Sequence, residues 1–407
     1  MTHSDKEDNP PGGAADGSMW GLRAARLFDG VTLRPGRPLV VIRAGRIVDV
    51  DLSGIRPSAD LHVVDLGDVT LLPGLVDSHV HLAFDPHGHP FEQLRQEDDA
   101  TVLDRMRTHA RQALRAGITT VRDLGDRNYL GLSLRAEYES GADVGPELLL
   151  AGPPITRTGG HCWFLGGEAD GVDGVRAAVA ERVARGMDAI KVMATGGVLT
   201  PGWSPFESQY GLAELRAVVE TAHEAGRPVC AHAHSGGGIA DAVAAGVDVI
   251  EHGFFLRLHD GQGDAEPDWR TVAAMVEAGV LVSTTTARRP EEKMPALVAK
   301  VRDNFGKMQR EGLRLVCSSD AGVGPLKTHD CLPYGVIDFG ALLGFAHAEA
   351  IAAATSVAAQ ACGVADRKGR VAPGYDADVL AVAGNPLERL EALLEVRAVF
   401  RAGRRVR

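Results

Sequence analysis

The chain of 407 residues contains no run of about 18 apolar residues, so nothing in it reads as a membrane-spanning helix. Cysteine is scarce. Cys162, Cys230, Cys317, Cys331 and Cys362 are odd in number and scattered, with no C-x-x-C spacing. That pattern disfavours a disulfide framework and fits unpaired thiols in a reducing cytoplasm. Positive charge is in deficit, with 43 Lys and Arg against 54 Asp and Glu and a formal net charge of -11. The deficit argues against nucleic acid or an anionic membrane as a main partner. No G-x-G-x-x-G follows an early strand, which removes the usual support for a doubly wound dinucleotide-binding sheet. Residues 1–18 are polar, rich in Gly, Asp and Pro, and lack the apolar core of a secretory signal. They are expected to form a disordered tail on a cytoplasmic protein.

What is present is an ordinary globular composition, 45% hydrophobic and 24% charged. After the tail, residues 20–28, 38–42, 46–50, 62–66 and 69–72 read as short strands, with Ala44-Gly45 as a turn. From Gly74 the texture changes to strand–helix alternation. Strands are expected over 75–79, 118–123, 147–151, 189–194, 229–233, 249–252, 280–285 and 313–319. Amphipathic helices are expected over 100–116, 131–141, 172–186, 212–226, 237–246, 268–279 and 295–312. Many of these helices close on a glycine, as at Gly117, Gly186, Gly226, Gly246 and Gly279, where a left-handed C-cap is easily adopted. Eight such units predict an α/β fold, a distorted (β/α)8 TIM barrel. Beyond it, 346–362 reads as helix, 369–383 returns to short strands, and 396–406 reads as a hairpin around Ala402-Gly403. Ala44-Gly-Arg-Ile-Val48 resembles Ala402-Gly-Arg-Arg-Val406, so the two chain ends are expected to pair into one small β-sandwich domain. The predicted layout is 1–18 tail, 19–73 sandwich, 74–365 barrel and 366–407 sandwich.

In such a barrel, functional residues sit at the C-terminal ends of the strands. The first strand ends in His79-Val-His81, and side chains two apart on a strand face the same way. The fourth carries Lys191 within the apolar run Ile190-Lys-Val-Met193. The fifth ends Cys230-Ala-His-Ala-His234, the sixth Glu251-His-Gly253, and the eighth Cys317-Ser-Ser-Asp320. His79, His81, Lys191, His232, His252 and Asp320 therefore fall at one rim, and imidazoles with a carboxylate are metal-ligating groups. Singly, each has a plain structural reading: a hydrogen-bonded histidine, a capping aspartate, a snorkelling lysine. Together they predict a metal centre. His234 shares a face with His232 and competes with it as a ligand; nearness to the strand body favours His232, leaving His234 to meet the substrate. His161, in Thr158-Gly-Gly-His161, reaches the same rim as a substrate contact. His87 and His89 are expected to be solvated, and His3, His62, His109, His223, His259 and His347 are given no role.

These phrases, in this order, resemble the amidohydrolase superfamily, and within it the binuclear branch of imidazolonepropionase-like and Xaa-Pro dipeptidase-like proteins. The matching stretches are Pro73-Gly-Leu-Val-Asp-Ser-His-Val-His81, Ile190-Lys-Val-Met-Ala-Thr-Gly-Gly-Val198, His232-Ala-His234, Glu251-His-Gly253 and Ser319-Asp-Ala-Gly322. Ala353-Ala-Thr355 and Pro373-Gly-Tyr-Asp-Ala-Asp378 complete the set. The resemblance implies two divalent metal ions, zinc first among them. His79 and His81 would bind the more buried ion and His232 and His252 the second, with carboxylated Lys191 as the bridge. Asp320 would bind the first ion and shuttle the proton during attack of a metal-bridging hydroxide on an amide-type C–N bond. A lysine stripped of water is pushed towards its neutral, nucleophilic form, which can add carbon dioxide and become a two-oxygen ligand.

The substrate class this implies is small: a dipeptide, an N-acyl amino acid or a related amide. A cyclic amide, as in imidazolonepropionase-like enzymes, or a heterocycle deaminated by the chain are the alternatives; Lys191 argues against mononuclear deamination. Homo-oligomerisation is left open. Where many relatives carry Gly-Thr-Asp this chain has Ser318-Ser-Asp320, a change expected to alter packing. Tyr210 stands where related peptidases place a group that polarises the scissile carbonyl. The loop 322–330 brings Lys327 and His329 towards a substrate end group. Arg157 is a candidate for a substrate carboxylate, and Glu168, Asp170 and Glu207 for a basic substrate.

Overall fold

A computed structural model describes residues 18–54, 60–291 and 293–407. The expected tail lies outside these, save for Ser18.

All eight expected parallel strands are present: Leu75–Val80, Ile118–Asp123, Glu147–Leu150, Ile190–Met193, Val229–Ser235, Val249–His259, Leu281–Ser283 and Arg314–Val316. They pair in sequence order within two parallel sheets, the first three in one and the last five in the other. Single parallel bridges span the two seams, Val80 to Ala321 and Ile155 to Val192. Five of the eight are buried at every residue; Glu147, Arg314 and the outer part of Val249–His259 are the exceptions. Burial on both faces draws polar side chains such as Asp77, Arg122 and Lys191 inside together with the apolar ones.

The helices between them follow the expected order, and the glycines stop them as read. Gly141, Gly246 and Gly279 sit at C-caps with φ of 75°, 90° and 70°, a left-handed conformation that costs glycine little.

Several elements depart from expectation, among them a short helix, Pro90–Gln96, after the first strand. The helix expected over 346–362 is two, His347–Ala353 and Ser356–Ala361. The carbonyls of Ala353 and Ala354 accept from Cys317, just past the eighth strand, and from Val76 in the first, at 3.0 and 2.8 Å. They are therefore lost to the helical ladder. A further helix, Leu332–Leu343, carries Gly335 and Gly340 in its interior and has little polar face, which hid it in the sequence. The Val249–His259 strand runs on past the rim and folds back on Gln262–Ala265 as an antiparallel ribbon.

The remaining strands form two sheets. One holds Arg46–Asp51, Leu39–Arg43, Trp20–Arg23 and His62–Asp65; the other joins Arg404–Arg405, Val396–Arg401 and Val379–Ala383 to Val69–Pro73, Arg26–Phe28 and Leu33–Pro35. Leu22, Ile42, Val64, Leu71, Val379 and Phe400 share one buried cluster between them. Val379 pairs with Pro73 and Ala383 with Val69, so both chain ends contribute to the second sheet. Lys368, almost fully buried, ties this part to the third parallel strand through Glu147 at 2.8 Å and Asp378 at 2.6 Å. All five cysteines are buried and unpaired. Among the described residues no helix is long and apolar enough to cross a membrane.

Candidate metal centre

Strand ends one, four, five, six and eight open into one cavity of about 190 Å³. His79, His81, His161, Lys191, His232 and His234 line it, and so do His252, Asp320 and Lys327. Asp320 and His252 reach it through a bend in the chain. Both adopt positive φ, 57° and 71°, and so does the neighbouring Thr285 at 52°. Non-glycine residues rarely occupy this region, and such outliers cluster where function holds the backbone. At His252 the bend has a visible effect. Regular alternation would send Glu251 and His252 to opposite faces, yet both meet groups of the centre.

Two groups of ligand atoms converge. In each of His79–His81–Asp320 and His232–His234–His252, one ligand atom per residue lies within 4.8 Å of the others. In the first, His79 Nε2 is 3.3 Å from His81 Nε2. Asp320 Oδ1 is 3.3 and 3.5 Å from the same two nitrogens. Ligand atoms held tetrahedrally at about 2.1 Å from zinc stand roughly 3.4 Å apart, so this set matches a three-donor site.

The tautomers follow from the partners. His79 Nδ1 faces the Glu251 carboxylate at 2.8 Å and His81 Nδ1 the Gly125 carbonyl at 3.2 Å. Both partners only accept, so the protons sit on Nδ1 and each Nε2 offers a lone pair. His232 Nε2 donates to the Gly196 carbonyl at 3.1 Å, which leaves Nδ1 bare and 2.9 Å from His252 Nε2. When Thr285 Oγ1 accepts from His252 Nδ1, at 2.8 Å, that Nε2 is a second lone pair aimed at the same point.

Charge follows burial. Burial, then the neighbouring Lys191, holds His79 down to about 4. Burial chiefly holds His161 and His234 at about 3 and His232 and His252 well below the ordinary range. These imidazoles are neutral near pH 7, the state that ligates. Burial likewise lowers Lys191, despite Glu251 and Asp320. Its Nζ is buried and has no hydrogen-bond partner among the described residues, as have Nδ1 of His161 and His234. A buried amine with nothing to bond fits a side chain whose functional form is another species, so the donor set suits two cations joined by a modified Lys191. Burial pushes Asp320 up, but Lys327, then His79 and His81, bring it below the usual carboxylate range.

The supporting shell went largely unread in the sequence. Glu251 is fully buried and bonds His79 with one oxygen and Arg122 with the other, at 3.0 Å. Arg122, equally buried, also donates to the carbonyls of Ser78 and Ala361. Gln209 accepts from His161 N at 2.6 Å and donates to the carbonyls of Met193 and Thr195, which fixes the His161 loop against the fourth strand. The adjacency Glu251-His252 was a signal for the first of these; nothing pointed to Gln209 or Arg122.

Several expectations are corrected. Tyr210 does not line the cavity: its hydroxyl donates to the Ala169 carbonyl at 2.6 Å. His329 is turned away, donating Nε2–H to the His81 carbonyl and stacking on His109. Lys327 does reach the cavity. Ser318 and Ser319 take part in a polar network: Ser318 Oγ meets Ser283 Oγ at 2.7 Å, and Ser319 Oγ donates to Asp77 at 2.5 Å. Glu168 and Asp170 accept from Gly159 N and Thr158 N within their own loop. Arg157 lies over the Trp203 ring. His87 and His89 are exposed, as expected.

The model of the Amidohydrolase family matches residues 70–406, and the chain belongs to this family. It is 27% identical over 393 residues to an ochratoxinase of Aspergillus niger, covering 88% of this chain and 79% of that one. A crystal structure of a Xaa-Pro dipeptidase with bound methionine in the active site superposes with a TM-score of 0.82 at 29% identity, over 95% of this chain and 99% of that chain. A prolidase complexed with N-methylphosphonate-L-proline gives 0.82 at 28% identity, over 96% and 100%. The chain is thus a hydrolase of the amidohydrolase family, with an α/β fold.

Proposed function

We propose that this hydrolase cleaves the amide C–N bond of a dipeptide or N-acyl amino acid at a centre of two divalent metals, zinc being the first candidate. The observation that carries the reading is the pair of buried ligand clusters around the orphaned amine of Lys191. The similarity to peptide- and amide-cleaving relatives supports the substrate class. His79, His81 and Asp320 would hold one cation and His232 and His252 the other, with carboxylated Lys191 between them. The ordered pairing and the two seam bridges support a closed (β/α)8 barrel over 74–365. The shared cluster between the outer sheets supports a β-sandwich built from 19–73 and 366–407.

Bound there, the metals would acidify a water and polarise the amide carbonyl. The chain's own groups do the rest. Asp320 takes the proton of the attacking water on its carboxylate and passes it to the departing nitrogen, as base and then acid. Neutral His161 and His234 bond the carbonyl oxygen and orient it. The apolar wall of Met193, Leu199, Phe254 and Val323 limits competing water. The test is a panel of dipeptides, N-acyl amino acids and cyclic amides assayed with chelated and with metal-loaded protein. Metal-dependent turnover of the first two classes is expected; turnover of cyclic amides alone would contradict the reading.

A further inference from the structure

Lys327 is the one cationic side chain besides Lys191 that lines the cavity among the described residues. Its place is fixed from both sides. Its N–H donates to the Gly324 carbonyl at 3.0 Å, its carbonyl accepts from Gly322 at 2.8 Å, and the preceding Leu326 carbonyl accepts from Arg289 at 2.7 Å. The ammonium has three donors. One goes to the Thr285 carbonyl at 2.7 Å, and Asp320 Oδ2 lies at 3.5 Å, too long for a firm bond. A cation thus stands preorganised beside the proton-carrying carboxylate with donor capacity left over.

We propose that Lys327 anchors the α-carboxylate of the leaving amino acid, and that the apolar wall receives that residue's side chain. This rests on the amide-hydrolase reading above. The geometry selects the α position. To receive its proton, the departing nitrogen must come within about 3 Å of the Asp320 carboxylate. An α-carboxylate hangs one carbon from that nitrogen, which brings it to a group 3.5 Å from Asp320 Oδ2. A side-chain carboxylate sits several bonds further away. Of the remaining lining, Cys162, Met193, Val198, Leu199, Phe254 and Val323 carry no charge, and Thr285 is already engaged by His252 and Lys327, so no charged partner is left for a charged side chain. The substrate class is therefore an amide of an apolar amino acid with its carboxylate free. At about 190 Å³ the cavity is smaller than the roughly 300–1,000 Å³ of drug-sized pockets, which suits a ligand of this size.

The test compares amides that differ only in the carboxylate: N-acetyl-L-leucine with N-isopentylacetamide, and N-benzoyl-L-phenylalanine with N-phenethylbenzamide. Metal-loaded wild type should favour the acid of each pair by about 10- to 100-fold in kcat/KM, the worth of a charge-assisted hydrogen bond. Lys327→Met should bring that ratio close to one, mainly through KM, while Lys327→Arg should keep much of it. Calorimetry supplies a readout apart from turnover: Lys327→Met should weaken binding of L-leucine by a similar factor but not that of isopentylamine. If Lys327→Met does not fold, Lys327→Gln, which keeps a donor for Thr285 without the charge, carries the same expectations. An acid preference that survives loss of the charge overturns the anchor and leaves the hydrolase reading standing. Failure of metal-loaded wild type to cleave any of the four amides, together with every dipeptide and N-acyl amino acid of the panel above, overturns both.

Discussion

Replacing Glu251 by Gln removes one charge and almost no volume from the interior, which makes it a sharp probe of how the centre is held. Glu251 and Arg122 are both fully buried, and the carboxylate links Arg122 to His79. Taking one partner from a buried ion pair costs about 3–5 kcal/mol, because the other charge is left without compensation. Arg122 would keep two carbonyls, those of Ser78 and Ala361, so the low end applies. The acidity of Glu251 gives a similar size. Burial pushes it up, but His79 and then Arg122 bring it to about 2 against an ordinary 4.5, which corresponds to roughly 3 kcal/mol. The sign is that of a depressed carboxylate: the contribution is present above pH 4.5 and is lost as pH falls towards 2.

Urea unfolding of chelator-treated wild type and Glu251→Gln at a series of pH values should therefore differ by about 3 kcal/mol near pH 7, and the difference should shrink below pH 4.5. A second consequence is local. Gln cannot accept from both His79 and Arg122 as the carboxylate does, so His79 loses its orientation, and metal affinity should drop about 10- to 100-fold in competition with a chromophoric chelator. Equal urea midpoints together with equal metal affinity would refute the argument.

Asp320→Asn should leave circular dichroism unchanged and lower kcat by about 10²- to 10⁴-fold, the range for a lost general base; a near-normal rate would take Asp320 out of the proton path. Tyr210→Phe should cost about 1 kcal/mol of stability, for the bond to the Ala169 carbonyl, and alter kcat by less than about threefold. A large fall in kcat at unchanged stability would place that hydroxyl at the scissile carbonyl instead.

Much of this centre is legible in the sequence because its ligands are local to strand ends. His79-Val-His81 needs only the two-residue period of a strand, and the glycines closing the helices mark where each strand begins. What stayed hidden depends on register between distant segments. Glu251 meets His79 across 172 positions, and Arg122 meets Glu251 across 129. Only the set of the parallel strands, with Ala233 opposite His252 and His232 opposite Glu251, brings these groups into line. The helix Leu332–Leu343 escaped notice for another reason. Apolar along most of its length and interrupted by glycine, it shows neither a polar stripe nor good helix formers throughout. Tyr210 illustrates the opposite error: its position resembles that of a carbonyl-polarising group in related peptidases, yet its hydroxyl bonds the Ala169 carbonyl, while the adjacent Gln209 braces the His161 loop.

The central claim is that Lys191 joins two cations into one centre. It is tested most directly by counting metals in purified, metal-reconstituted wild type and Lys191→Ala by mass spectrometry, with amidase activity read on the same samples. Wild type should carry close to two divalent ions per chain, with activity rising as the second binds. Lys191→Ala should carry one or fewer and be inactive, with partial recovery on adding a small carboxylic acid. Full activity in metal-free wild type, or two ions retained by Lys191→Ala, would contradict the account.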